Sequence, residues 1–363
     1  MLKTLDKYII KKILKTFFFS IIAVLCIIVV FDISEKIDDF LKTNLSILDL
    51  LIQYYSGFVI YIGNMFFPLF VLITIVMVTL KLNQRSEITA ILSSGISFTR
   101  LLRPFFIGVG LIVIFSFFIN FVLLPKANQR RLAFENVHTG YVSTIYGAHF
   151  EVVPGTVVSY KYFDFKEMKS VNDIWVDIYE KDETGLNKLT YSLYSNFAYG
   201  DSATNKFQLK NVVERYYLPG RDSLLEYRVK DTTLGFGLKD LGQRNEVVST
   251  MYYNELLAYR DKEMAKGSAI VPYVEIEIYS RISNPLSLFI LALLGVCISI
   301  SPARSKVGLT ILLGLGSVAL YFVFNRFSTV AATNAGLDPL IAVWTPNIIL
   351  LVFALYLYWR TPK

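Results

Sequence analysis

Thr16-Phe17-Phe18-Phe19-Ser20-Ile21-Ile22-Ala23-Val24-Leu25-Cys26-Ile27-Ile28-Val29-Val30-Phe31 carries no charged side chain, and lysines crowd the residues just before it. Crossing a hydrocarbon core of about 30 Å takes roughly 20 apolar residues in a helix. The run is short by that measure, so Ile13 and Leu14 extend it while Lys11, Lys12 and Lys15 snorkel to the surface. Outward from it, charge-poor runs recur near 54–80 and 104–124, then near 282–302, 307–325 and 340–359. A charge at mid-bilayer costs about 2.5–3.5 kcal/mol on insertion scales, so each run is predicted to be a span. The expected organisation is spans one to three in residues 1–125, an extramembrane domain in 126–281 and spans four to six in 282–363.

Composition agrees: 54% of the residues are hydrophobic and the mean hydropathy is +0.49, too apolar for a soluble chain of 363 residues. No small-residue cleavage site follows the first run, so it is expected to stay as a span. The net charge of +7 fits positive-inside placement better than nucleic-acid binding. Lys3, Lys7, Lys11, Lys12 and Lys15 precede span one; Lys81, Arg85, Arg100 and Arg103 lie between spans two and three; Arg304 and Lys306 separate spans four and five; Arg360 and Lys363 close the chain. Those segments are expected in the cytoplasm. Asp32, Glu35, Asp38, Asp39 and Asp49, against Lys36 and Lys42, mark the opposite side, where the insert also falls. Cys26 and Cys297 both sit in predicted spans, so neither is placed for a disulfide in the exported domain.

Within the insert the period is near 2. Val157–Tyr162, Ile174–Tyr179, Leu189–Tyr194, Phe207–Lys210 and Leu225–Val229 alternate β-formers with polar residues. Pro154-Gly155, Glu183-Thr184-Gly185, Gly200-Asp201 and Pro219-Gly220 supply turns. An antiparallel β-sandwich or open barrel is expected. Its inner face, with Ile174, Val176 and Ile178, is either an ordinary core or a slot for an apolar ligand. Residues 250–266 read as a surface helix, and Tyr273–Tyr279 alternates strictly, as a strand or an extended connector.

Catalytic chemistry is nearly absent. His138 and His149 have no paired spacing for a metal and read as surface or strand residues. Neither a Gly-x-Ser-x-Gly elbow nor a phosphate-binding Gly-x-x-x-x-Gly-Lys-Ser/Thr loop occurs. The link between spans two and three is more specific. In Leu82-Asn83-Gln84-Arg85-Ser86-Glu87-Ile88-Thr89-Ala90-Ile91-Leu92-Ser93-Ser94-Gly95, Ser86 can N-cap a short helix at about 84–95. Glu87 suits its positive end and Gly95 the left-handed position after it. The helix is either a plain turn or a coupling element that docks on a cytoplasmic ATPase.

The chain resembles the LptF/LptG permeases of the lipopolysaccharide export transporter over essentially its full length. The resemblance rests on Leu5-Asp6-Lys7-Tyr8-Ile9, Arg85-Ser86-Glu87 with Ala90 and Gly95, and Leu124-Pro125-Lys126-Ala127-Asn128. It continues through Arg281-Ile282-Ser283-Asn284-Pro285-Leu286, Arg304, Phe324-Asn325, and Pro339-Leu340 with Ala342, Trp344, Pro346 and Asn347. It implies a membrane α-helical fold of six transmembrane helices, three plus three, with an inserted periplasmic antiparallel β-jellyroll-like domain. It also implies a sister permease, a cytoplasmic ATPase dimer of LptB type and periplasmic bridge proteins of LptC/LptA type. This chain would bind no cofactor, ATP and Mg2+ belonging to the ATPase. Lipopolysaccharide would enter between spans one and five of the two permeases, and Arg85, Ser86, Glu87, Ala90 and Gly95 would carry the coupling.

Two further groups of residues, beside the inner face of the insert, are candidates for handling such a lipid. Lys36 and Lys42, just outside span one, are either phosphate contacts or interface anchors. Thr310, Gly314 and Ser317 put small side chains along one face of span five, for packing or, with Phe31, for a lateral gate. Two rival classes are an ATPase-coupled protein that transmits force without carrying lipid, and a periplasmic assembly or receptor protein.

Overall fold

The computed structural model describes the chain except residues 1–2, 43–44, 139–144, 154, 165–169, 182–185, 201–205, 219, 237–244, 266–267, 269, 301–306 and 362–363. Among the described residues six helices are long and apolar enough to cross a membrane, and in chain order a six-stranded sheet falls between the third and fourth. The chain divides into two compact units, one of Met1–Arg131 with Glu275–Lys363 and the other Leu132–Val274.

In the first unit, span one is a single helix, Thr4–Lys42, far longer than its apolar run. Span two reaches Phe67–Gln84 through a one-turn helix Ile47–Leu50, a π-helical turn Leu51–Tyr55 and a helix Ser56–Met65. The break before Phe67 is set by Phe66, which leaves helical geometry, with Pro68 in the first turn after it. Span three runs Phe98–Phe118 and continues through a π-helical turn Ile119–Leu123 into Leu124–His138. The expected end near 124 is where polarity begins, not where the helix stops. Spans four, five and six are Val271–Ser299, Val307–Asn334 and Pro339–Arg360. Asp338 caps span six, its Oδ1 accepting from the Leu340 and Ile341 amides at 2.8 and 3.2 Å.

The Tyr273–Tyr279 stretch belongs to span four, not to a strand or extended connector. Its alternation hides a helical spacing: Val274 and Ile278, four apart, are both buried, and Glu277 accepts from Arg281 Nε at 2.9 Å one turn on. Arg304 and Lys306 lie outside the described residues.

One apolar cluster holds the first unit together, from Ile9, Ile13 and Phe17 of span one through Phe70, Val71 and Ile75 of span two to Leu288 and Leu291 of span four. Polar pairs tie helices inside it. Asn64 and Asn120 exchange amide hydrogen bonds of 3.1 and 3.0 Å between spans two and three, the type of contact that holds helices together in lipid. Asn347 of span six donates to Ser283 Oγ of span four at 2.5 Å.

The second unit is one antiparallel sheet in plain sequence order. Its strands are β1 (Ile145–Val153), β2 (Thr156–Asp164), β3 (Ser170–Lys181), β4 (Asn187–Gly200), β5 (Lys206–Leu218) and β6 (Arg221–Thr233). Gly155 and Gly220, between β1 and β2 and between β5 and β6, take φ of +80°. The surface helix is Tyr253–Ala265, behind a 3-10 turn Asn245–Thr250.

The period of 2 breaks along one line across this sheet. Asp173 and Asn211 have φ of 49° and 52°, a conformation that Asp and Asn tolerate better than other side-chain-bearing residues. The ladders skip 161–173, 173–196, 196–211 and 211–228. Buried positions therefore step by three, from Val171 to Ile174, Ser195 to Ala198 and Leu209 to Val212. Tyr194 Oη donates to Asp173 at 2.8 Å, fixing the line from the neighbouring strand.

Candidate coupling and lipid-handling sites

Helix Glu87–Ser93 fills the link between spans two and three. Gly95 ends it as the sequence predicts, with φ +84° and its N–H on Leu92 O at 3.1 Å. Ser86 departs from expectation. Its backbone is left-handed at φ 58° and its hydroxyl does not cap the helix; capping side chains reach the N2 and N3 amides from an extended backbone, which Ser86 does not adopt. Ile88 is buried in the main apolar cluster. Glu87 keeps 28% of its side-chain exposure, and its carboxylate lies 3.9 Å from Arg85 Nη1 and accepts from Tyr8 Oη at 3.4 Å. Ala90 and Gly95 are exposed, so the helix offers one seated face and one open face.

A second long-range contact flanks this helix. Arg100, in the first turn of span three, places Nη1 and Nη2 on Asp6 Oδ1 and Oδ2 at 2.9 and 2.7 Å. Asp6 is buried and also accepts from the Lys3 amide at 2.9 Å. Nothing in the spacing of the sequence ties residue 6 to residue 100, although Asp6 lies in one of the stretches that carry the resemblance.

Toward the other end of span one, Asp32 is buried among aromatic residues. Lys36 Nζ is 2.9 Å from its carboxylate, donates to Tyr54 Oη and stands over the Tyr54 and Phe58 rings at 4.7 and 5.6 Å. Tyr54 and Tyr55 donate to the two Asp32 oxygens at 3.2 and 3.0 Å. Lys36 is thus already neutralised, and a phosphate that reached it would take the place of Asp32. The i,i+4 spacing of Asp32 and Lys36 was a legible signal for this pair. Lys42 closes the span-one helix, and its side chain lies outside what the structure describes.

Phe31 is 71% exposed, and no residue from 22 to 31 is buried. Thr310, Gly314 and Ser317 are instead buried. A Cβ on Gly314 would stand 3.3 Å from Val76 of span two, so this small-residue face serves helix packing within the chain. The open surface of span five is large and apolar, with Leu312 and Phe327 about as exposed as Phe31. In the sheet, Ile174 and Val176 lie in a cluster with Val158, Tyr160, Leu193 and Val212. Both are buried side chains of that hydrophobic core, and Ile178 is half-buried. His149 lies exposed on β1, against Ser159.

Beside that core, Glu214 is buried on β5, accepting from Tyr191 Oη at 2.8 Å and from Lys230 Nζ at 2.6 Å. Burial and the carboxylate push the Tyr191 hydroxyl well above its ordinary range, and the hydrogen bond to Glu214 raises the Lys230 ammonium.

Two comparisons with known proteins bear on this arrangement. No curated protein matches the chain. Residues 7–360 match a family described as the lipopolysaccharide export system permease LptF/LptG. With six apolar helices in two blocks of three and a sheet inserted between them, the chain belongs to the LptF/LptG permease family.

Proposed function

We propose that this chain is one permease subunit of an ATP-driven transporter of the inner membrane, lifting lipopolysaccharide from the periplasmic leaflet toward a periplasmic bridge. Hydrolysis is the work of a partner ATPase dimer, and a sister permease completes the membrane part. The observation that carries the reading is the family match across 7–360. The coupling helix supports it with a seated face at Ile88 and an open face. Energy input is physically required, since each methylene of an acyl chain exposed to water costs about 0.8 kcal/mol.

In this reading the N-terminus, the 87–93 helix and the C-terminus face the cytoplasm, and the sheet faces the periplasm. Arg85, Ser86, Glu87, Ala90 and Gly95 form the ATPase contact. Glu87 offers the ATPase a charge-assisted contact. Phe31 and the open faces of spans one and five form the lateral gate with the sister permease. Lys36 and Lys42 meet lipid phosphates at its outer mouth, Lys36 by releasing Asp32.

The test is purification of the full chain from its native host, with mass spectrometry of what accompanies it. Recovery of an ATPase, a related permease and lipopolysaccharide is expected. Glu87→Ala lowers ATPase recovery at least fivefold while the chain stays folded. A wild-type chain that brings neither ATPase nor lipid, or a Glu87→Ala chain that recovers ATPase and exports as wild type, refutes the reading.

A further inference from the structure

We propose that the Asp6–Arg100 ion pair, with Tyr8 beside it, is the link through which movement of the 87–93 helix reaches span one; this rests on the coupling function proposed above. Two contacts leave the flanks of that helix. Glu87, its first residue, meets Tyr8, and Arg100, in the first turn of span three that follows it, meets Asp6. They bridge 79 and 94 residues of sequence and land on the first two turns of one helix. The coupling helix is thereby held to span one directly at its first residue and, beyond its last, through the start of span three.

The chemistry of the pair makes it a specific joint. Arg100 sits in the first turn of span three, where the positive end of the helix dipole disfavours a cation. The Asp6 carboxylate supplies the missing countercharge and also accepts from the Lys3 amide at the start of span one. One buried carboxylate thus serves the N-termini of two helices. The two terminal guanidinium nitrogens engage it as a fork, fixing direction as well as distance; a lysine cannot reproduce that. Lys12 reinforces the neighbouring contact, donating to Tyr8 Oη at 3.1 Å. Beneath the charges, Ile13 packs so closely on span three that a Cβ on Gly108 would stand 3.2 Å from its Cδ1. Asp6, Tyr8 and Arg100 are positioning residues: they decide whether a displacement of one helix becomes a displacement of the other.

The experiment compares the reconstituted complex of permeases and ATPase carrying wild type, Asp6→Asn, Arg100→Lys or the double Asp6→Asn/Arg100→Lys. ATP hydrolysed and lipopolysaccharide released from the bilayer are measured together. Each single variant is expected to keep wild-type ATPase content and hydrolysis within twofold while lipid released per ATP falls at least tenfold. The double variant falls no further than the worse single, because the pair acts as one unit. A merely structural role would lower yield and hydrolysis together and leave lipid per ATP unchanged. That result in the single variants overturns the link, as do losses that multiply in the double. If Asp6→Asn does not assemble, Arg100→Lys decides alone. Wild-type complex without ATPase overturns the coupling function and the link with it; wild-type ATPase content with an unchanged ratio overturns the link alone.

Discussion

Replacing Lys230 by Met leaves the Glu214 carboxylate buried in the sheet with only tyrosine hydroxyls to meet it. The side chain of Glu214 is 2% exposed and that of Lys230 30%. Removing one partner of a fully buried pair costs about 3–5 kcal/mol, because the other charge remains uncompensated. Water reaches the exposed part of Lys230, and Tyr191 still donates at 2.8 Å, which brings the expected loss to about 2–3 kcal/mol. For a unit of this size that lowers Tm by roughly 5–10 °C. The assay is thermal unfolding of the full chain followed by Trp175 fluorescence, with Trp344→Phe and Trp359→Phe to silence the other tryptophans. Glu214 faces Leu193 and Leu225 in register, so Glu214→Met/Lys230→Met replaces the pair by apolar groups and should return to within about 1 kcal/mol of wild type. A loss below about 0.5 kcal/mol in Lys230→Met, or a double variant as weak as the single, refutes the reasoning. The pH dependence has a definite sign. Lys230 and Tyr191 both titrate higher in the folded chain than in the unfolded one. Their contribution is therefore complete below about pH 10 and is lost as pH rises through the folded values; Lys230→Met should flatten that alkaline decline.

Two further substitutions probe packing. Gly57→Ala puts a Cβ inside contact distance of the Ala127 carbonyl oxygen and 3.2 Å from Arg131 Cβ; backbone cannot swing aside, so a loss of about 1–3 kcal/mol is expected, read as a lower temperature for loss of the monodisperse peak in detergent. Ile174→Ala separates a packed core from an apolar slot: a cost of about 2–5 kcal/mol in the Trp175 melt is expected for a packed core, and far less for an open slot.

The spans were legible because charge is costly in lipid at any position along the run, so the signal survives without knowledge of packing. Helix ends were not legible in the same way: Leu124–His138 continues through Arg130 and Arg131, since polarity ends the membrane and not the helix. Val274, Ile276 and Ile278 favour a strand by local propensity, and tertiary burial of 274 and 278 on one helical face overrode it. β1 escaped notice because its alternation is weak and Gly147 interrupts it. The row through Asp173 and Asn211 was hidden because a period of 2 that restarts after an extra residue resembles two unrelated strands. Glu87 was legible as a candidate from local capping chemistry alone. Asp6 with Arg100, and Asp32 with Tyr54 and Tyr55, were not, because each joins residues whose proximity only the packing of spans one, two and three creates.

The same packing explains why span one is suited to move. Its 39 residues make a rod of about 58 Å at 1.5 Å per residue, nearly twice the hydrocarbon thickness. The rod is fastened near its ends by charge, through Asp6 to Arg100 and through Asp32 and Lys36 to Tyr54 and Tyr55. Between residues 22 and 31 no side chain is buried. Leu25 packs partly on the main apolar cluster, while exposed neighbours such as Ile22, Ile27 and Val30 are left to lipid or to another chain, and lipid is as apolar as the side chains it touches. Displacing the middle of span one therefore breaks little packing, while its ends hold strong directional contacts. The helix can change its neighbours in the bilayer without losing its connection to the 87–93 helix, which is what a gate driven from a distance requires.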